Sequence, residues 1–228
     1  MGTSIEITRP DGQKAPGFLA EAPQPGAPGV VMFGEWWGVT DHLRETAEKL
    51  AAAGFNVLVP DLYRGRSAAT GDEASHLAEG LDFNDAVSQD ARGAAAYLRE
   101  RGAKKVGVTG FCMGGALAML SAMHLADFDA AVVFYGFPPP EGGDPAAIKI
   151  PVQGHWAERD EFFKIERVDE IEKALRDAGV PHEFYRYDAK HGFTNPKKLG
   201  DHGLGNHHPE HAETAWKRTI EFLKKHLS

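Results

Sequence analysis

The sequence predicts an α/β protein whose β-sheet is mostly parallel and twisted, with helices on both faces. Short apolar runs alternate along the chain with longer segments in which apolar residues recur at helical spacing. Because parallel strands need crossover connections, which are usually helices, this alternation is typical of a doubly wound sheet. One run, Gly29–Phe33, is continuously apolar, as expected of a strand that is buried on both faces.

Eight strands are predicted in order along the chain. The turn signal Pro10-Asp11-Gly12 separates the first two, which we expect to pair as an antiparallel edge. The remaining strands are apolar segments that precede or follow predicted helices. The predicted strands cover residues 5–8, 17–20, 29–33, 55–59, 105–109, 130–135, 148–154 and 183–188.

Five helices are predicted between these strands, and glycines at 54, 102 and 179 end three of them. The helices cover residues 41–53, 82–101, 113–124, 162–178 and 209–227. The Pro- and Gly-rich segments 21–28 and 138–145 are predicted to be surface loops. Because no linker divides the chain, residues 1–228 are predicted to form one domain.

Composition narrows the possible functions. The net charge of −8 argues against binding to nucleic acid, which requires clustered cations. We find no signal peptide and no apolar run long enough to span a membrane, so we expect a cytoplasmic protein without a membrane partner. The single cysteine cannot form an internal disulfide. The sequence leaves the oligomeric state open between a monomer and a small homo-oligomer.

That cysteine, Cys112, stands between a predicted strand and a predicted helix. The stretch from Gly110 to Gly114 matches the pattern G-x-nucleophile-x-G, the sharp strand-to-helix turn of the α/β-hydrolase fold. The free N–H groups of a helix N-terminus favour a thiolate and can bind a developing oxyanion. Although a free cysteine is often a small buried hydrophobe, this context favours a nucleophile.

A nucleophilic thiol needs a base, and the base needs an orienting acid. In this fold the chain order is nucleophile, acid, histidine. Asp160, near the start of a predicted helix, is the first candidate for the acid, and Glu158 is the second. His191 follows the last predicted strand and is the candidate base, with His155 and His182 as the alternatives.

The stretch Gly34-Glu35-Trp36-Trp37-Gly38 follows the strand Gly29–Phe33. In this fold the loop at this place supplies one N–H of the oxyanion hole, which we assign to Trp36, and Met113 supplies the other. Glu35 would place a carboxylate near the thiol and control its protonation. Trp37 is a candidate for lining an apolar substrate pocket.

With these motifs in hand, the chain resembles the dienelactone hydrolase family over nearly its whole length. The motifs are Gly110–Gly115, Gly34–Gly38, Pro60–Tyr63, the stretch ending at Asp160, and His191–Phe193. The resemblance implies a triad of Cys112, His191 and Asp160, and gating of thiolate formation by Glu35. It also implies hydrolysis of a small-molecule lactone or ester through an acyl-thioester intermediate, without a cofactor.

One departure from the family concerns the substrate. Family members that act on dienelactone bind its carboxylate with two arginines, and Arg64 or Arg66 is placed to serve as the first. At the second position this chain has Asn195, which carries no charge. Losing one bidentate cation weakens recognition of an anionic substrate, so a carboxylesterase acting on neutral esters is an alternative.

Two further hypotheses remain open. The first is a redox or binding protein that uses Cys112 without turnover, although the chain has no second cysteine to resolve a sulfenic acid. The second is a metal site among the histidines between His202 and His211. His207 and His211 have the spacing of helical zinc ligands, but Pro209 lies between them, so we favour a surface loop without metal.

Overall fold

The computed structural model describes residues 2–198 and 201–228 and contains an eight-stranded sheet. The strands are β1 (Thr3–Thr8), β2 (Lys14–Ala20), β3 (Gly29–Phe33), β4 (Asn56–Pro60), β5 (Val106–Phe111), β6 (Ala130–Phe134), β7 (Val152–Ala157) and β8 (His182–Tyr187). Their order across the sheet is β1-β2-β4-β3-β5-β6-β7-β8. At one edge, β1 pairs with β2 and β2 pairs with β4 in antiparallel orientation. The six strands β3 to β8 are all parallel to one another, which confirms the predicted fold class.

The helices that cover the sheet are α1 (Asp41–Ala52), α2 (Gly71–Glu79), α3 (Phe83–Asp85), α4 (Arg92–Glu100), α5 (Met113–His124), α6 (Ile165–Asp177) and α7 (Pro209–Leu227). A π-helical segment, Ala86–Ala91, joins α3 to α4. The single helix predicted at 82–101 is therefore an unbroken helical segment whose middle part is π-helical rather than α-helical. Two short 3₁₀ turns, Pro140–Gly142 and Pro145–Ala147, lie before β7.

The sheet is buried on both faces because alternate residues of its central strands enter two separate cores. In β3, Val31 and Phe33 belong to the core that includes side chains of α4, α5 and α6, whereas Val30 and Met32 belong to the core that includes those of α1 and α7. Every residue of β3 is buried, as its continuously apolar sequence predicts. The carboxyl ends of the parallel strands therefore meet at one edge, between these two helical layers.

The structure differs from the prediction in two elements. Helix α2 was not expected; Thr70 and Glu73 begin it with a reciprocal capping box, a signal that is visible in the sequence. The predicted strand at 148–154 is shifted, since β7 begins after Pro151, which has no N–H to donate, and continues to Ala157. His155 therefore lies inside a strand.

No helix in the described residues is long and apolar enough to cross a membrane.

Candidate functional site

Cys112 occupies a strained turn between β5 and α5. Its backbone has φ 57° and ψ −119°, a conformation that side chains with a Cβ rarely adopt and that is typical of a nucleophile elbow. The Cys112 N–H donates to the carbonyl oxygen of Phe134 at 3.0 Å, and its carbonyl accepts from the N–H of Gly115 at 2.8 Å. These bonds hold the turn, while the side chain remains a half-buried free thiol.

The glycines around this cysteine are required by close backbone contacts. A Cβ at Gly110 would collide with the main chain of Gly114, and a Cβ at Gly114 would collide with the carbonyl oxygen of Phe33. The helix α5 can therefore start directly against the ends of β3 and β5 only if both positions lack a side chain.

Asp160 and His191 are paired within the protein. Asp160 lies just after β7, and His191 lies four residues after the end of β8. The Oδ2 atom of Asp160 accepts from Nδ1 of His191 at 2.7 Å, and both side chains are almost fully buried. Since Nδ1 carries the proton in this bond, Nε2 of His191 is left to exchange a proton with another group.

The second carboxylate oxygen of Asp160 is held by the main chain. Its Oδ1 accepts from the N–H groups of Phe162 at 2.8 Å and Phe163 at 2.9 Å. The ring of Phe163 is stacked on the imidazole of His191, with centroids 5.5 Å apart. The two phenylalanines, which the sequence analysis did not select, thus fix both members of the acid–histidine pair.

The electrostatic surroundings favour the charged form of His191. Burial opposes protonation, but hydrogen bonds with Asp160 and Cys112, together with the attraction of their negative charges, raise the pKa of His191 to about 10. The imidazole is therefore bonded to the carboxylate of Asp160 and is close enough to Cys112 to be influenced by its charge. A catalytic triad of these three residues stays a prediction. Such an arrangement can hold a thiolate–imidazolium pair.

The alternative acid and bases lie elsewhere. Glu158 is exposed, and its N–H donates to the carbonyl oxygen of Tyr187, which extends the pairing of β7 with β8. His155 is buried within β7, bonded through Nδ1 to the Tyr187 hydroxyl, and burial lowers its pKa to about 3. His182 lies at the start of β8, with Nδ1 bonded to the Val180 carbonyl oxygen, at the opposite end of the strand from His191.

Glu35 is half-buried in the loop between β3 and α1. Its Oε2 accepts a hydrogen bond from Nδ2 of Asn195 at 2.7 Å. Burial raises the pKa of Glu35 to about 7, although the Asn195 bond and the positive charge of His191 both act to lower it. Asn195, which the sequence marks only as the position of a missing arginine, therefore donates to the carboxyl group of Glu35.

A cavity of about 370 Å³, here called the Cys112 cavity, opens at the sulfur. Cys112, His191, Trp36 and Met113 contribute to its lining. The rest of the lining is apolar and includes Phe83, Phe137, Phe162, Phe163 and Leu204. The residues assigned to the oxyanion hole thus face the same space as the sulfur and the imidazole.

A second cavity of about 540 Å³ lies between α1 and α7 and is called the α1–α7 cavity. Its lining includes Glu35, Trp37, Phe111 and Tyr135 at the sheet edge. The structure therefore places Trp37 in this cavity rather than in the Cys112 cavity, although its ring contacts that of Trp36 at a centroid distance of 5.4 Å.

The two candidate arginines are not brought to the Cys112 cavity in the part of the chain that the structure describes. Both oxygens of the buried Asp90 accept from Nη2 of Arg64, at 2.9 and 3.0 Å. Arg66 donates through Nε to the carbonyl oxygen of Tyr63 and is exposed. A role for either arginine in substrate binding remains a prediction.

The histidines before α7 are distributed among different contacts. Nδ1 of His208 caps α7 by accepting from the His211 N–H at 3.4 Å, and the two rings are stacked. His207 lines the α1–α7 cavity, and His202 packs against Trp37. Within residues 2–198 and 201–228, no three potential ligand side chains come together as a metal site.

Comparison with known proteins agrees with this geometry. The profile of the dienelactone hydrolase family matches residues 15–227. The chain is 34% identical to Protein usf of Aquifex pyrophilus over the full length of both, and 29% identical to a carboxymethylenebutenolidase of Rhodococcus opacus, covering 87% of this chain and 81% of the relative. Its fold is similar to that of a dienelactone hydrolase-like promiscuous phosphotriesterase from metagenomic libraries, with a TM-score of 0.84, 24% identity, and coverage of 100% and 99%.

Proposed function

Because this chain belongs to the dienelactone hydrolase family and is a hydrolase of that type, we propose that Cys112 hydrolyses a lactone or ester through an acyl-thioester intermediate. The observation that carries the proposal is the bonded pair of Asp160 and His191 beside a cysteine on a strained strand-to-helix turn. No cofactor takes part in the proposed steps. The use of a free thiol fits a reducing compartment such as the cytoplasm.

In the acylation step, the Cys112 thiolate attacks the carbonyl carbon of the substrate and forms a C–S bond. The carbonyl oxygen becomes an oxyanion, which the N–H groups of Trp36 and Met113 bind. The oxyanion then collapses and the C–O bond to the leaving group breaks. The leaving alkoxide takes the proton from Nε2 of His191, because Asp160 holds Nδ1 on the other side of the ring.

In the deacylation step, the neutral His191 takes a proton from a water molecule, and the resulting hydroxide attacks the thioester carbon. The C–S bond breaks, the carboxylic acid leaves, and the thiolate–imidazolium pair is restored. Asp160 stabilises the imidazolium in both steps and keeps the ring oriented, while Phe162 and Phe163 hold Asp160 in place.

Glu35 controls the thiol in the resting enzyme under this proposal. With a pKa of about 7, its carboxyl group changes its charge near neutral pH. A negative Glu35 stabilises the nearby imidazolium of His191 and disfavours a second negative charge on Cys112. The thiol therefore keeps its proton more readily when Glu35 is negative than when Glu35 is neutral.

The lining of the Cys112 cavity favours neutral, apolar substrates over anionic ones. Arg64 is already paired with Asp90, Asn195 is bonded to Glu35, and the walls are mainly aromatic and aliphatic. A substrate carboxylate would lose its hydration there, and the one cation in the described lining, the imidazolium of His191, is already paired with Asp160. We therefore propose, more specifically, that the enzyme is a carboxylesterase that acts on neutral esters or lactones.

The test is a panel of neutral and anionic esters and lactones, assayed with the wild-type enzyme and Cys112→Ala. We expect turnover of neutral apolar substrates by the wild type alone, together with an acyl mass adduct on the peptide that contains residue 112 after acid quenching. A thiol redox or binding protein would show no turnover and no acyl adduct. Hydroxylamine should remove the adduct, because it cleaves thioesters. Turnover with no such hydroxylamine-sensitive adduct would contradict the thioester intermediate.

A further inference from the structure

At two places in the chain, adjacent residues line the two different cavities. Trp36 lines the Cys112 cavity, whereas Glu35, the preceding residue, lines the α1–α7 cavity. In the same way, Cys112 lines the first cavity and Phe111 lines the second. Glu35 is therefore next in the chain to a residue of the Cys112 cavity, but it lines the α1–α7 cavity and a small space beside Met113 instead.

The two cavities differ in their titratable groups. Among the described residues that line the Cys112 cavity, the ionisable side chains are Cys112 and His191, which take part in the reaction. The α1–α7 cavity has charged side chains towards its mouth, namely Glu45 and Lys49 from α1 and Glu213 from α7, all exposed to solvent. The α1–α7 cavity therefore has solvent-exposed charged groups in its lining, which the Cys112 cavity does not have among the described residues.

A hydroxyl pair lies at the inner end of the α1–α7 cavity. The Tyr135 hydroxyl and Oγ1 of Thr194 are 2.6 Å apart, and both residues line the cavity together with Glu35. The Tyr135 ring contacts the imidazole of His191 edge to face, at a centroid distance of 5.1 Å. Polar atoms thus continue from the sheet edge towards the cavity mouth.

We propose that the α1–α7 cavity is the route by which Glu35 exchanges its proton with bulk water, separate from the entrance used by the substrate. The O–H bond of the carboxyl breaks, the carboxylate stays in place, and a water molecule or a small buffer base in the cavity takes the proton; the reverse step restores it. The identity of the Cys112 cavity as the substrate site rests on the proposed function, but the exchange itself requires no turnover.

The consequence is that Glu35 can change its charge while a substrate fills the other cavity. A bound apolar ester would exclude water from the Cys112 cavity and would trap any proton that entered from that side. A second opening removes this restriction. The charge of Glu35 is then set by the solution throughout the catalytic cycle.

Several titratable groups surround Glu35, and the experiment must separate them from it. They are Tyr63, Cys112, Tyr135 and His191 at the sheet edge, and His42, Glu45, Lys49, His207 and Glu213 along the α1–α7 cavity. Trp37 lines the same cavity and is nearly buried, so its fluorescence reports on charge changes there. The fluorescence phase that disappears in Glu35→Gln is the phase that belongs to Glu35.

The test is a stopped-flow pH jump across neutrality, followed by tryptophan fluorescence. Ala212→Trp and Thr46→Phe each fill the α1–α7 cavity from a different helix, and Thr214→Trp, on the exposed side of α7, is the matched control. Each protein is also measured after Cys112 has been alkylated with an aryl reagent, which fills the other cavity. Circular dichroism checks that each variant is folded.

We expect the Glu35 phase to slow at least about tenfold in both filled variants, to keep its wild-type rate in Thr214→Trp, and to persist after alkylation, which shifts the midpoint of the phase by removing the thiol charge but leaves its route open. A wild-type rate in both filled variants, or loss of the phase on alkylation, would overturn the proposal. If the enzyme fails to hydrolyse any ester while the phase behaves as expected, the proposed function fails and the exchange route stands.

Discussion

Asn195 donates a hydrogen bond of 2.7 Å to Glu35, joining the loop after β8 to the loop after β3. The bond favours the carboxylate form of Glu35, because an accepted hydrogen bond stabilises the negative oxygen. It opposes burial, which disfavours the same charge. The protonation of Glu35 near neutral pH is therefore a balance that a single neutral amide helps to set.

Removing that amide should shift the balance in a defined direction. In Asn195→Ala the carboxylate loses a donor while remaining half-buried, so we expect the pKa of Glu35 to rise above its value of about 7. Carbon-13 NMR of the glutamate side chains measures the titration. Asn84→Ala, at an exposed position, is the control and should leave the Glu35 titration unchanged; a lower pKa in Asn195→Ala would contradict the balance.

Glu35 should also make stability depend on pH. Its pKa is 4.5 in the unfolded chain and about 7 in the folded protein, so the folded state binds more protons between these values and stability falls as pH rises through that window. Glu35→Gln removes this loss. We therefore expect the difference in free energy of unfolding between variant and wild type to increase by roughly 1–3 kcal/mol in favour of the variant from pH 4 to pH 8.

Urea unfolding at the two pH values measures this difference. Comparing the same variant at both values cancels the effect of the amide itself on packing. An equal difference between variant and wild type at pH 4 and pH 8 would show that Glu35 is ionised normally in the folded protein.

Cys112→Ala should abolish ester hydrolysis, with a loss in kcat of about 10³-fold or more, because Cys112 is the proposed nucleophile and, among the described residues, the rest of the cavity lining apart from His191 offers no nucleophilic side chain. The fold should persist, since the side chain is half-buried and small. Initial rates with a neutral aryl ester and far-ultraviolet circular dichroism test both parts. Rates within tenfold of the wild type would refute the nucleophile assignment.

Asp160→Asn should lower kcat by about 10³- to 10⁴-fold while keeping the shape of the site, because the amide cannot stabilise the imidazolium or select the same tautomer. The pKa of His191 should fall, since the hydrogen bond and charge of Asp160 raise it. Glu158→Gln is the matched control, because Glu158 is two residues away and exposed. The pH–rate profile of each variant provides the measurement; equal losses in both would contradict the assignment.

Arg64→Ala should act mainly on stability. Asp90 is buried and would lose the guanidinium nitrogen that contacts both of its oxygens, so we expect a loss of about 1–3 kcal/mol in the free energy of unfolding. The KM for anionic esters should not change, because Arg64 is held by Asp90. Arg66→Ala is the companion variant; a rise in KM for anionic but not neutral esters in either variant would give that arginine the predicted binding role.

The sequence was sufficient to predict the strand order in the chain, the two-sided burial of β3 and the elbow at Cys112, because each depends on local patterns. The sequence also predicted that His191 and Asp160 lie at the same edge of the sheet, since both follow parallel strands whose carboxyl ends meet there. It could not predict the Asn195–Glu35 bond, which joins residues 160 positions apart. The commitment of Arg64 to Asp90 was equally hidden, because nothing in the local sequence indicates which carboxylate a surface arginine meets.

Other differences have local causes that the apolar pattern does not contain. Helix α2 is short and has one fully buried residue, Ala74, so its periodicity is weak even though its capping box is present. The sequence did not indicate that Trp37 lines a different cavity from its neighbour Trp36, and a role for Trp37 in substrate binding stays a prediction. Adjacent loop residues can point into different cavities, as Trp36 and Trp37 do.

The main-chain bonds from Phe162 and Phe163 to Asp160 have a consequence for attempts to broaden the range of accepted molecules. The side chains of these residues form part of the pocket wall, while their N–H groups orient the acid. Smaller side chains there would enlarge the pocket and leave both donors in place. Proline would remove a donor at either position, so libraries that vary these two sites should omit it.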